Sequence, residues 1–284
     1  ANVWDGAAFR VGDKTQKYVK INFTVPGTLS VTYSNTGGNE ARYATVNNER
    51  LGSGSTKNNG GEVTAETVVQ SGITIIAGED GDGTGKDIRL RKLVYTPVTS
   101  TTVEVGEKLY RTFASKYPLD FTTPVSGLTA YKANVSGDNV TFEEVTGKVP
   151  AGEGLLLKAT AADTYTINVP AGEVATIDNA LVGVTKETTI EGAGIFVLYA
   201  DDTHPIGFYK TEATSFTVGA NTAYLPANTS ARTFIALDEE TTGIGATLMN
   251  SERVNNGVYN LAGQRVAQPT KGLYIVNGKK VAIK

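Results

Sequence analysis

The sequence predicts an all-β protein of tandem β-sandwich or jelly-roll domains with a C-terminal β-hairpin tail. Three observations carry this: short runs of period-two alternation dominate, no window of ten or more residues keeps a clean 3.6-residue period, and clusters of Gly, Asn, Asp and Thr separate the runs. In residues 18–25, Val19, Ile21, Phe23 and Val25 share one face while Lys20, Asn22 and Thr24 share the other. Leu29, Val31 and Tyr33 repeat the pattern after Pro26-Gly27, so the two runs are expected to form a hairpin of a half-buried antiparallel sheet. Further strands are expected at 73–76, 90–95, 154–158, 165–169, 195–199 and 233–237. Many short strands at such spacing suit two sheets that bury alternate residues between them. Helix, where it occurs, is expected as a single turn or two.

A chain of 284 residues exceeds what one core usually organises. Residues 96–102, Thr-Pro-Val-Thr-Ser-Thr-Thr, have turn and linker composition, and so does 238–250, with Glu239, Glu240, Thr241, Thr242, Gly243 and Gly245. The expected division is a jelly-roll-like carbohydrate-binding domain at 1–98, a β-sandwich module at 99–240, and a linker with a short β domain at 241–284. In that last part, 258–266 reads as a strand interrupted by Ala262-Gly263. Residues 273–283 read as a hairpin, because Asn277-Gly278 supplies the positive φ angles of a type I′ turn.

The 26 Lys and Arg nearly balance the 29 Asp and Glu, a net charge of -3. A nucleic-acid or anionic-membrane partner is therefore not expected, since either needs a clustered positive face. No apolar run approaches the roughly 20 residues of a membrane span. The chain starts at Ala1 without Met or an apolar leader, as expected after removal of a signal peptide or trimming. The absence of cysteine excludes disulfides, thiolate metal sites and cysteine nucleophiles.

The run G-E-D-G-D-G-T-G-K-D at 78–87 fails as a phosphate-binding loop, with Asp80 at the first Gly position and Asp87 where a hydroxyl must stand. It fails as an EF-hand because Arg91 occupies the position of the bidentate Glu. A looser Ca²⁺ site from Asp80, Asp82 and Asp87 stays open beside the reading as an acidic hairpin loop; no other cofactor is expected. The glycine run at 52–61 reads as a flexible connection. His204, the single histidine, falls in a loop and no G-x-S-x-G elbow accompanies it. Glycosidase chemistry needs two carboxylates about 5–10 Å apart across a cleft. The pairs Glu143-Glu144, Asp201-Asp202 and Glu239-Glu240 are adjacent in sequence, and adjacent strand residues point to opposite faces. No catalytic residues are expected, and the chain is read as a non-enzyme.

Aromatic side chains remain. A flat ring can lie on the apolar C–H face of a sugar while neighbouring polar groups bond its hydroxyls. Trp4, Tyr18, and Tyr43 with Arg42 are the glycan-binding candidates in the first domain; Tyr33 alternates with core positions.

The tail, V-Y-N-L-A-G-Q-R-V at 258–266 followed by K-G-L-Y-I-V-N-G-K-K-V-A-I-K at 271–284, resembles the C-terminal sorting domains of type IX (Por) secretion in Gram-negative anaerobes, with Gly263, Gly272, Tyr274, Gly278 and Lys280 at the motif positions. The resemblance implies engagement of that secretion machinery and a secreted or outer-membrane-surface location. Y-P-L-D-F at 117–121, G-L-T-A-Y-K-A at 127–133 and V-P-A-G-E-G-L-L-L-K at 149–158 resemble the β modules that precede such tails in secreted and surface proteins, which often accompany polysaccharide-degrading enzymes and adhesins. Residues 1–98 resemble jelly-roll carbohydrate-binding modules in their pattern. The expected function is a non-catalytic accessory region of a larger secreted protein, recognising a polysaccharide or a host or plant glycan. The alternatives are a structural adhesin or stalk without sugar binding, and a small glycoside-active enzyme.

Overall fold

The computed structural model describes residues 2–37, 39–56, 61–137, 139–192, 194–226 and 233–237, with 2–9 as backbone only, and the backbone of four short strands between 258 and 283. The protein is all-β, with antiparallel sheets paired into sandwich-like domains and no helix among the described residues.

Eight strands build residues 2–97: β1 (Asn2–Val11), β2 (Val19–Phe23), β3 (Gly27–Asn35), β4 (Arg42–Val46), β5 (Glu49–Ser55), β6 (Glu62–Val69), β7 (Gly72–Asp80) and β8 (Ile88–Pro97). They form a back sheet, β1-β8-β3-β6, and a front sheet, β2-β7-β4-β5. This is the interleaved order of a jelly roll. Leu29, Val31 and Tyr33 from the back sheet meet Ala44, Val46 and Ile76 from the front sheet in one core. Tyr33 is fully buried, and its hydroxyl donates to Leu51 O at 2.7 Å.

Two sequence expectations change here. β2 and β3 are not a hairpin: β2 pairs with β7, whereas β3 lies between β6 and β8. Pro26-Gly27 carries the chain from one sheet to the other, and a side chain at Gly27 would strike Thr96 O and the Tyr95 ring. Alternation alone cannot separate the two arrangements, because a hairpin and a sandwich corner bury the same face. The glycine run also begins as strand: Gly52 and Gly54 lie within β5, with φ of +63° and +79°. These are left-handed values that few other residues adopt without strain.

Residues 100–168 supply β9 (Ser100–Val105), β10 (Tyr110–Ala114), β11 (Leu119–Asp120), β12 (Leu128–Ser136), β13 (Asn139–Glu144), β14 (Lys148–Val149), β15 (Gly154–Ala159) and β16 (Asp163–Asn168). They pair into a flanking sheet, β14-β11-β16-β9, and a central sheet, β10-β15-β12-β13. A distal sheet, β17-β22-β19-β20-β23, follows from β17 (Val182–Val184), β19 (Ile195–Tyr199), β20 (Gly207–Lys210), β22 (Thr222–Pro226) and β23 (Phe234–Ala236). The two-stranded sheet of β18 (Thr188–Glu191) and β21 (Ser215–Val218) covers part of its outer face through Val218, Ile190 and Phe216.

The central sheet is buried on both sides. Leu155, Leu157 and Ala130 pack toward the flanking sheet, while Leu156, Ala133 and Val140 pack with Phe196, Phe208 and Leu225 of the distal sheet. A strand buried on both faces reads as a continuous apolar run, which explains Leu155-Leu156-Leu157. Asn179 pins the layers: its Oδ1 accepts from Ala133 N and Leu181 N, each at 3.0 Å, and its Nδ2 donates to Gly154 O at 2.7 Å.

Only Val98 and Thr99 separate β8 from β9. The junction is clamped from the side by Thr28 Oγ1 against Tyr117 Oη at 3.0 Å, by Gln70 Nε2 donating to Lys116 O at 2.9 Å, and by Gly172 N donating to Thr24 O at 3.0 Å.

In the tail, β24 (Val258–Tyr259), β25 (Arg265–Val266), β26 (Gly272–Val276) and β27 (Lys279–Ile283) form a sheet in the order β25-β24-β26-β27. The β26–β27 hairpin pairs Gly272 with Ile283, as expected; Asn277-Gly278 lies outside the described residues. The expected single interrupted strand is instead two strands, with Val258 opposite Val266. Residues 238–250 also lie outside the described part. Among the described residues no helix is long and apolar enough to cross a membrane.

Candidate functional site

Alternation decides which side chains leave the jelly-roll core. On β4, Ala44 and Val46 face inward, opposite Gly78 and Ile76; Tyr43 and Thr45 therefore face outward, opposite Glu79 and Ala77. Asn47 and Asn48, with φ of 50° and 72°, make the two-residue turn to β5 and set Arg50 opposite Thr45 on the same outer face. The Arg50 guanidinium lies over the Tyr43 ring, 4.2 Å from its centroid, and its Nε donates to Glu79 Oε1 at 2.6 Å. That bond to Glu79 is the main reason the Arg50 guanidinium titrates above its usual range. Gly54 sits against the same ring, where a Cβ would fall 2.6 Å from Tyr43 Cε1. Tyr43 is thus held between a cation and a glycine backbone.

Two loops wall this face. Asp13 Oδ1 accepts from Thr15 N and Thr15 Oγ1, both at 2.6 Å, which shapes residues 12–17 and keeps the Asp13 carboxyl below its usual range. Gly78 N donates to Gly12 O at 2.8 Å, tying that loop to β7. The acidic segment turns back as a hairpin loop, with Asp80 N donating to Thr84 O at 2.9 Å and Lys86 N to Gly78 O at 3.0 Å. Gly85 allows it to touch Asp13. Between the loops lies a cleft of about 300 Å³ lined by Asp13, Lys14, Thr15, Thr45, Asn48, Ala77, Gly78, Glu79, Gly83 and Gly85. Lys14 Nζ donates to Asn48 Oδ1 at 3.0 Å across it. Asp13 and Glu79 each commit one oxygen to a donor, and among the described residues the other oxygen, like Asn48 Nδ2, is not so engaged and can meet a ligand.

The residues singled out in the sequence disperse over this framework. Tyr18 precedes β2 at the rim of the front sheet and is 44% exposed. Trp4 belongs to β1 of the back sheet, opposite Leu93, and its side chain lies outside the described part. Arg42 neighbours Tyr43 in sequence but points the other way, into the end of the sandwich. Its side chain is 13% exposed, Nη2 reaches Glu40 Oε2 at 3.5 Å, and Nε and Nη1 are buried without a hydrogen-bond partner. Arg50, rather than Arg42, accompanies the Tyr43 ring. The signal for it was the Asn47-Asn48 turn, whose register brings Arg50 back across from Thr45.

The acidic residues are committed locally. Asp80 Oδ1 accepts from Asp82 N at 3.1 Å and Thr84 N at 2.9 Å, and Asp87 Oδ2 faces Lys17 Nζ at 3.5 Å. Among the described residues no three acidic or histidine side chains converge as a metal-binding group.

A second polar cluster occupies the loop after β19. Asp201 Oδ1 accepts from Thr203 N at 2.8 Å and His204 N at 2.7 Å and meets His204 Nδ1 at 2.8 Å, while Asp201 Oδ2 accepts from the Tyr199 hydroxyl at 2.8 Å. These bonds, led by that to His204, hold the Asp201 carboxyl far below its usual range. A carboxylate with a depressed folded value stabilises the fold above its unfolded value of about 3.9, and the contribution is lost as pH falls through the folded value. Amide protection of Thr203 and His204 attributable to Asp201 should therefore hold down to about pH 4 and fade only in stronger acid. Asp201→Asn should weaken it already at neutral pH. Hydrogen exchange across a pH series checks both; equal protection in the variant would contradict them.

None of the protein-family models, curated proteins or solved structures compared with the chain matches it.

Proposed function

We propose that the chain is a non-catalytic glycan-recognition region whose binding site is the cleft on the front sheet of the jelly roll. The observation that carries this is the convergence of hydrogen-bonding atoms of Asp13, Asn48 and Glu79 in one cleft, with Glu79 fixed by the Arg50 that covers the Tyr43 ring. Carboxylate and amide groups suit vicinal hydroxyls, and donors and acceptors are mixed, as a neutral polyol requires. Tyr18 and the 56%-exposed Ile73 add apolar surface along the same sheet. Binding should be weak, because the hydroxyls are desolvated and regain their bonds only in part.

Calorimetric titration with plant cell-wall and host polysaccharides tests the reading. Asn48→Gly, which removes the side chain but keeps the left-handed turn, should weaken binding about tenfold, the loss of one or two hydrogen bonds, with little shift of the melting curve. Full binding by Asn48→Gly and Asp13→Ala together would refute the cleft.

A spacer or adhesin role is the second reading, and the clamped junction at Thr28, Gln70 and Thr24 favours it. Both readings include a secreted or surface location through the type IX-like tail.

A further inference from the structure

We propose that the outward face of the distal sheet carries a second carbohydrate-binding surface, a stacking platform made of Tyr199, Tyr209 and Phe234, independent of the jelly-roll cleft. Strand register puts the three rings on one face. Val197 pairs with Tyr209, Tyr209 with Phe234, and Tyr199 with Gly207, so Tyr199, Tyr209 and Phe234 all point away from the core that Phe196, Phe208 and Ile235 fill.

The arrangement of the rings is legible in the chain. Gly207 has no side chain, and the edge of the Phe234 ring occupies the position a Cβ would take. Phe234 therefore lies down over the glycine, and Tyr209 meets it at 4.5 Å between centroids with only 36° between planes. Tyr199 stands upright at the edge, 47% exposed, 5.9 Å from Tyr209 and at 87° to it, so the three rings form a step rather than a plane. Its ring cannot swing away, because its hydroxyl donates to Asp201 Oδ2 and Asp201 is itself held by the backbone of the following loop. The orientation is set before any ligand arrives, which lowers the ordering cost of binding.

The β18–β21 sheet covers Val197 and Ile195 on the distal sheet but stops short of these rings. The remaining opening is small. The three rings, one about half exposed and two partly buried, offer on the order of 200 Å², whereas a stable protein interface takes about 800 Å² from each partner. A protein partner is therefore a poor match in area, and a sugar ring is a good one. Polar groups for its hydroxyls stand close by: Asp202 is exposed, and the His204 ring packs edge-on against Tyr199 and Tyr209, 5.9 and 5.5 Å between centroids, with bonds to Asp201 and Thr203 that use only Nδ1.

The test uses the full chain carrying 3-fluorotyrosine, with the resonances of Tyr199 and Tyr209 assigned from Tyr199→Phe and Tyr209→Phe, titrated with cellohexaose, xylohexaose and chitohexaose and followed by ¹⁹F NMR. We expect at least one hexaose to shift both resonances saturably, and Tyr199→Ala to weaken the titration seen at Tyr209 about tenfold. If every hexaose leaves Tyr199 and Tyr209 unmoved, the platform is refuted. A hexaose that moves Tyr43 or Tyr18 while leaving these two still would refute it as well, and would leave the jelly-roll cleft standing. An undiminished Tyr209 titration in Tyr199→Ala would also count against it.

Discussion

Removing residues 258–284 should abolish delivery of the chain to the cell surface in a bacterium carrying a type IX apparatus, while residues 1–237 fold as before. The structural half of this expectation follows from strand pairing. Among the described residues β24 to β27 pair with one another and with no strand of the jelly roll or of the three stacked sheets, so deletion breaks none of those ladders. The delivery half rests on the Gly263, Gly272, Tyr274, Gly278 and Lys280 pattern. Surface labelling of whole cells, run beside a melting curve of the shortened chain, measures both. Undiminished surface display would refute the sorting role of the tail.

Truncation of Phe208 should destabilise the protein by about 3–5 kcal/mol, the usual loss for a buried phenylalanine. Phe208 is fully buried in β20, flanked by β19 and β23, and its ring stacks on Phe142 of the central sheet at 5.7 Å and 17°. Phe208→Ala therefore leaves a void between two sheets that cannot close without moving one of them. Urea unfolding gives the number. Val135→Ala, on an exposed stretch of β12, serves as the control and should change stability by less than about 1 kcal/mol. A loss below about 1 kcal/mol for Phe208→Ala would mean that the distal sheet does not share its core with the central one.

Much of this architecture can be read from the residues because a half-buried strand advertises itself. Ile195–Tyr199 is a strand at the predicted bounds, and the alternation in residues 18–25 and at Leu29, Val31 and Tyr33 marks strands that do bury those faces. Partnering is less legible. The hydrophobic period says which face is buried but not which strand lies beside it, so the Pro26-Gly27 corner looked like a hairpin. Leu155-Leu156-Leu157 shows the complementary ambiguity: an unbroken apolar run gives the location of a strand but not that two different sheets cover it.

The cleft was harder still. Tyr43 is visible as an aromatic beside a cation, yet sequence adjacency pointed to Arg42, which alternation turns into the sandwich. Asp13, Glu79 and the Asn48–Arg50 stretch come from three separated segments, and only the folded register brings them together. The Tyr199, Tyr209 and Phe234 platform escaped for the same reason, since β19, β20 and β23 contribute one ring each.

The clamp between the jelly roll and the following sheets bears on how a long ligand would meet the molecule. With two residues between β8 and β9 and side contacts from Thr24, Thr28 and Gln70, the separation of cleft and platform is set by packing rather than by a floppy tether. A polymer seated at one of them would meet the other at an effective concentration governed by the polymer's own stiffness. Short oligosaccharides gain nothing from such an arrangement. A chain long and straight enough to span both would gain avidity from two individually feeble contacts, so the molecule would respond to the length of a polysaccharide as well as to its sugars.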